Sequence, residues 1–123
     1  MNYAVNEQQL FSLLDKFFST MYRSVKFKKE GGYIWVYNGE KIYKTYRKIN
    51  GVYVVPNVIM SYSPFSNYLE IDPEVYENII KWIPQFTGKK MIVQFLTEWF
   101  KNKFNVDISH TYFSDKDIMD NID

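Results

Sequence analysis

Three turn dipeptides, Gly31-Gly32, Asn38-Gly39 and Asn50-Gly51, cut residues 25–55 into four runs of strand-forming residues. Two-residue loops of this kind favour type I′ turns, in which the residues flanking the loop pair directly. The turns therefore set a pairing register, and the register sorts side chains onto two faces because successive residues of a strand point to opposite sides. On this reading the chain contains a four-stranded antiparallel meander over about 25–30, 33–37, 40–49 and 52–60. Pro56 argues for an edge or an early stop in the last run.

Counting outward from each turn places Lys26, Lys28, Tyr33, Trp35, Tyr37, Ile42, Lys44, Tyr46, Lys48 and Tyr53 on one face. The opposite face collects Val25, Phe27, Ile34, Val36, Tyr43, Ile49, Val52 and Val54, with Lys29, Lys41, Thr45 and Arg47 among them. The second set has the aliphatic bulk to lie under helices, its charged residues reaching solvent past their apolar stems. The first set then faces outward.

Helical periodicity flanks the meander. Leu10, Leu13, Leu14, Phe17, Phe18 and Met21 recur at the spacing of a helix over about 7–23, with Asn6 and Gln9 as a capping box. Asp72-Pro73-Glu74 is a helix start, with an N-cap, a proline at the first helical position and an acid at the positive end. That helix stops before Pro84. Thr87 or Gly88 opens a third helix to about Phe104 with a wide apolar face: Met91, Ile92, Phe95, Leu96, Trp99, Phe100 and Phe104. Residues 61–69 read as a loop, and a short strand is expected around Val106 to Phe113. The fold class is thus α+β: an N-terminal helix, an antiparallel meander, two helices and a short C-terminal strand. Residues 1–113 form a single domain and 114–123 an acidic tail. The breadth of the first and third apolar stripes calls for a helix-on-helix layer beneath the sheet. The alternative cover is a homo-oligomer or a partner groove.

The charge is uneven. Residues 23–49 carry eight cations against two acids, and residues 70–123 six lysines against ten acids, so a net charge of +1 conceals a basic sheet and an acidic half. Lysines beside aromatic rings support three readings. Rings can stack nucleobases at roughly 1–3 kcal/mol each while ammonium groups neutralise phosphates. Tyr and Trp also anchor protein interfaces. Lys–Tyr cross-strand pairs are also ordinary sheet chemistry that binds nothing. The near-balanced total charge disfavours a dedicated nucleic-acid binder.

Catalytic signatures are thin. Without Cys there is no thiolate nucleophile or thiolate metal site. His110 is the single histidine, and three residues from Asp107 on a strand it points the other way. Thr87-Gly88-Lys89-Lys90 lacks the upstream glycine of a phosphate loop and reads as helix capping. The tail acids Asp115, Asp117 and Asp120 lack the glycine and terminal glutamate of a calcium loop. No enzyme, cofactor or metal site is expected. No apolar run reaches the ~18 residues that cross a bilayer, and the start lacks a leader pattern, so a soluble cytoplasmic protein without a membrane partner is expected.

The expectation from sequence is a small binding protein that contacts a protein partner through Lys26, Lys28, Tyr33, Trp35, Tyr37, Lys44, Tyr46, Lys48 and Tyr53. The Lys-, Asn- and Tyr-rich, Ala-poor composition suits a viral or phage-type accessory or assembly factor. A single-stranded nucleic-acid binder using the same face is the alternative.

Overall fold

A computed structural model describes residues 7–22, 24–43, 47–54 and 57–114. Along the chain these form α1 (Glu7–Met21), β1 (Val25–Glu30), β2 (Tyr33–Asn38), β3 (Arg47–Ile49), β4 (Val52–Val54), β5 (Val58–Ser63), β6 (Tyr68–Ile71), α2 (Pro73–Trp82), α3 (Lys89–Phe104) and β7 (His110–Phe113). The α+β class, the leading helix, the antiparallel meander, the two later helices and the final strand are all present. The sheet has the order β1-β2-β5-β6-β7, and β3 and β4 make a separate two-stranded ribbon.

The first turn behaves as the sequence predicts. Gly31 and Gly32 both take positive φ, and Glu30 pairs Tyr33, Lys28 pairs Trp35 and Lys26 pairs Tyr37. Asn50 and Gly51 also take positive φ, and Lys48 pairs Tyr53. The middle turn does not close a hairpin. Instead β2 pairs with β5, and Val36 faces Met60. The third and fourth strands of the meander are thus residues 58–63 and 68–71. The stretch expected to be a loop at 61–69 supplies the end of one and the start of the other.

Asn57 explains the diversion. Its Nδ2 donates to the carbonyls of Asn38 and Lys41 at 2.9 and 2.6 Å, and its Oδ1 accepts from Tyr43 N at 2.6 Å. Its backbone carbonyl accepts from Asn38 N, and its own N–H donates to Tyr43 O. One side chain therefore satisfies backbone groups that a β2–β3 ladder would otherwise have used. The ribbon leaves the sheet at this staple and returns to it.

The sheet has a covered and an open face. Ile34, Val36, Met60, Tyr62, Leu69 and Ile71 are buried together with Leu10, Leu14, Val75, Ile79, Ile92, Leu96 and Phe100 of the helices in one core. A bulge between Val36 and Tyr37 lets both Ile59 and Met60 face inward. Trp99 of α3 packs on Phe18 of α1 with ring centroids 4.9 Å apart, so α1 and α3 cover part of each other's apolar stripes. Asp72 caps α2 by accepting from Glu74 N at 2.9 Å. Asn6, Lys44, Tyr46, Pro56 and the acidic tail from Asp115 lie outside the described residues.

Candidate functional site

The open face is built by alternation. Inward residues of each strand go to the core, so the residues between them point away from the helices. The register gives one continuous row across all five strands: Lys28, Trp35, Ser61, Glu70 and Tyr112. A second row holds Ser63, Tyr68 and His110, and Glu30 faces Tyr33 alongside it. Lys26 and Tyr37 form a third pair.

Two aromatic ridges result. Tyr33 and Trp35 on β2 stack with centroids 5.7 Å apart and planes 9° from parallel. On β6 and β7, Tyr68 meets His110 at 5.4 Å and Tyr112 at 6.1 Å, and His110 stacks on Tyr112 at 5.8 Å. Between the ridges β5 offers only Ser61 and Ser63. Strands lie about 4.8 Å apart, so the ridges stand roughly 10 Å from each other over a low serine floor. Phe65, in the β5–β6 turn, closes one end with its edge against Tyr33 and is 84% exposed.

The charges on this face are neutralised locally. Lys26 pairs with Glu40 at 3.2 Å and Lys28 with Glu30 at 3.5 Å. Exposed pairs of this kind add little stability, but they cancel the local positive potential. Glu70 adds an acid and accepts a 2.8 Å hydrogen bond from the Tyr112 hydroxyl. This bond, with partial burial and the Glu70 charge, raises the Tyr112 phenol above its ordinary range. The surface is therefore aromatic and close to neutral, where the sequence suggested aromatic and basic.

Of the nine predicted contact residues, Lys26, Lys28, Tyr33, Trp35 and Tyr37 come together on this face. Lys48 and Tyr53 pair on the separate ribbon, and Lys44 and Tyr46 lie outside the described residues. Sequence reasoning missed Tyr68, Glu70, His110, Tyr112 and Phe65. Alternation around Leu69 and Ile71 in Tyr68-Leu69-Glu70-Ile71 was the available signal for β6. The parallel partnership of β7 has no local signal, because it depends on a crossover through two helices.

The second row is braced from below. The Tyr62 hydroxyl lies 2.8 Å from Asn67 Oδ1 and 3.0 Å from the Asp107 carbonyl, and burial raises its pKa. Ser109 donates to the carbonyls of Asn67 and Ser66. These bonds tie the β5–β6 turn to the segment entering β7, which fixes Tyr68 beside His110. Asp107 precedes β7 and does not share a strand with His110.

No protein-family model, curated protein or solved structure matches the chain. Among the described residues, no group of three or more His, Asp or Glu side chains is placed to hold a metal ion. Among the same residues, no helix is long and apolar enough to cross a membrane.

Proposed function

We propose that this chain is a small, non-enzymatic, cytoplasmic protein that captures a protein partner on the open face of its sheet. One observation carries the reading: an aromatic, nearly neutral surface with two ridges and a serine-floored channel on the side of the sheet away from the helices. Tyr and Trp supply large contact area at low conformational-entropy cost and dominate protein interfaces. A channel about two strand spacings wide suits a row of side chains from an extended or helical partner segment. An accessory or assembly role of the viral type fits the composition.

The neutral charge favours a protein over a nucleic acid. Nucleic-acid affinity comes chiefly from phosphate neutralisation, and both lysines of this face are paired with acids. The test is partner capture from the native source by the wild-type chain and by Trp35→Ala/Tyr112→Ala. The double variant keeps its core and loses the captured protein. Capture that survives both substitutions in a folded variant overturns the reading. Salt-sensitive retention of a single-stranded oligonucleotide, lost in the same variant, transfers the face to nucleic acid.

A further inference from the structure

On the helical side of the molecule, away from the open face, a cleft of about 660 Å³ opens between α1, β1 and the end of α3. Its walls are aromatic: Phe18, Tyr22, Phe27 and Trp99. The ammonium of Lys103 sits in it, 5.3 Å from the Phe27 ring centroid and 5.4 Å from that of Trp99. Asp15 Oδ1 lies 3.4 Å from this ammonium and accepts the Trp99 indole N–H at 2.9 Å. Two ring faces and a carboxylate around one cation form the arrangement that holds alkylated ammonium groups.

We infer that this cleft binds a methylated ammonium group, which takes the place of Lys103 between Phe27 and Trp99. The chain's own lysine marks the position and the charge that the site accepts. The ammonium stands 5.3 and 5.4 Å from the two ring centroids in an open cleft, a separation that N-methyl groups can fill. Lys103 itself is solvent-accessible, with its side chain 34% exposed, so it can leave without disturbing the core. Exchange favours the methylated cation. A primary ammonium is strongly hydrated and loses that hydration between rings, whereas a methylated one is weakly hydrated and loses less. Lys16, on the cleft wall one residue beyond Asp15, offers a contact for an anionic group on the same ligand. The chemistry is shared by free quaternary amines and by methylated lysine in another chain.

The experiment is an NMR titration of the full chain, following the indole N–H signals of Trp35, Trp82 and Trp99. The probes are choline chloride, a trimethyllysine peptide, the same peptide unmethylated, and sodium chloride. The expected result is a saturable shift of the Trp99 indole signal, with Trp35 and Trp82 unmoved. Lys103→Ala tightens binding about tenfold by removing the internal competitor. Asp15→Asn weakens it by a similar factor. The tighter of choline and the methylated peptide identifies the source. A response to sodium chloride equal to that to choline overturns the inference. So does binding by Lys103→Ala with none by the wild type, which makes the cleft a cradle for its own lysine.

Discussion

The hydroxyl of Tyr112 donates a 2.8 Å hydrogen bond to Oε1 of Glu70 across the one parallel strand pair among the described residues. The bond stabilises the protonated phenol, so the folded-state pKa of Tyr112 lies above the unfolded value near 10. Its stabilisation is fully present below pH ~10 and is lost as pH rises through the folded value. Glu70→Gln removes the negative charge and brings the Tyr112 ionisation down toward the ordinary tyrosine range. Ultraviolet titration of phenolate absorbance, compared between wild type and variant, measures the shift. An unchanged titration removes Glu70 as its cause.

Tyr22 presents a different situation. Burial pushes its phenol up to about 12, the Asn78 side chain nearby acts in the opposite direction, and Glu74 and Asp72 add to the rise. Its Oη is buried and makes no hydrogen bond of good geometry among the described residues, the Asn78 amide being close enough only to favour the phenolate weakly. An unsatisfied buried hydroxyl costs about 1–3 kcal/mol. Tyr22→Phe is therefore expected to stabilise the fold by about 1 kcal/mol at neutral pH, read from urea denaturation midpoints. The wild type loses stability between pH 10 and 12 as the unfolded chain releases this proton first, and the variant loses less.

Asn57→Ala removes three side-chain hydrogen bonds and leaves the part-buried Tyr43 N–H and Asn38 carbonyl without this partner, while the exposed Lys41 carbonyl turns to water. A loss of about 2–4 kcal/mol is expected. Asn57→Asp, although isosteric, is expected to lose nearly as much, because it presents lone pairs to two carbonyls. Hydrogen exchange distinguishes a local effect from a global one: the Tyr43 amide loses protection first.

At Gly32 an added Cβ meets Pro64 at 3.1 Å on a backbone with φ +85°, whereas at Gly31, φ +59°, nothing lies within 4 Å. Gly32→Ala is expected to cost about 1–3 kcal/mol. Gly31→Asn, which suits the left-handed region, stays within about 0.5 kcal/mol of wild type. Thermal denaturation of the two variants measures the contrast.

Local chemistry explains which parts of this fold were legible in the sequence. Gly31-Gly32 and Asn50-Gly51 set their registers through backbone conformations that few other dipeptides adopt, and those pairings match the structure. The helices follow from apolar spacing and, for α2, from the Asp72-Pro73 start. Asn38-Gly39 carries the same dipeptide signal as Asn50-Gly51, yet its partners come from Asn57 and Ser24, far along the chain. That competition is non-local, and local turn propensity does not register it. The same limit hid half of the open face. Tyr33, Trp35 and Tyr37 followed from one hairpin, while Tyr68, His110 and Tyr112 reach the face only through the β5–β6 and β6–β7 pairings.

The parallel seam between β6 and β7 also has a consequence in time. His110 and Tyr112 are separated from Tyr68 by the whole of α2 and α3, so one ridge of the open face is half built until the chain beyond residue 104 has been synthesised. Small domains of this size fold cooperatively, so the open face is completed only once β7 has been made and has docked. The two-ridged surface exists only on a molecule whose last strand has docked, so one ridge depends on the final described element of the chain.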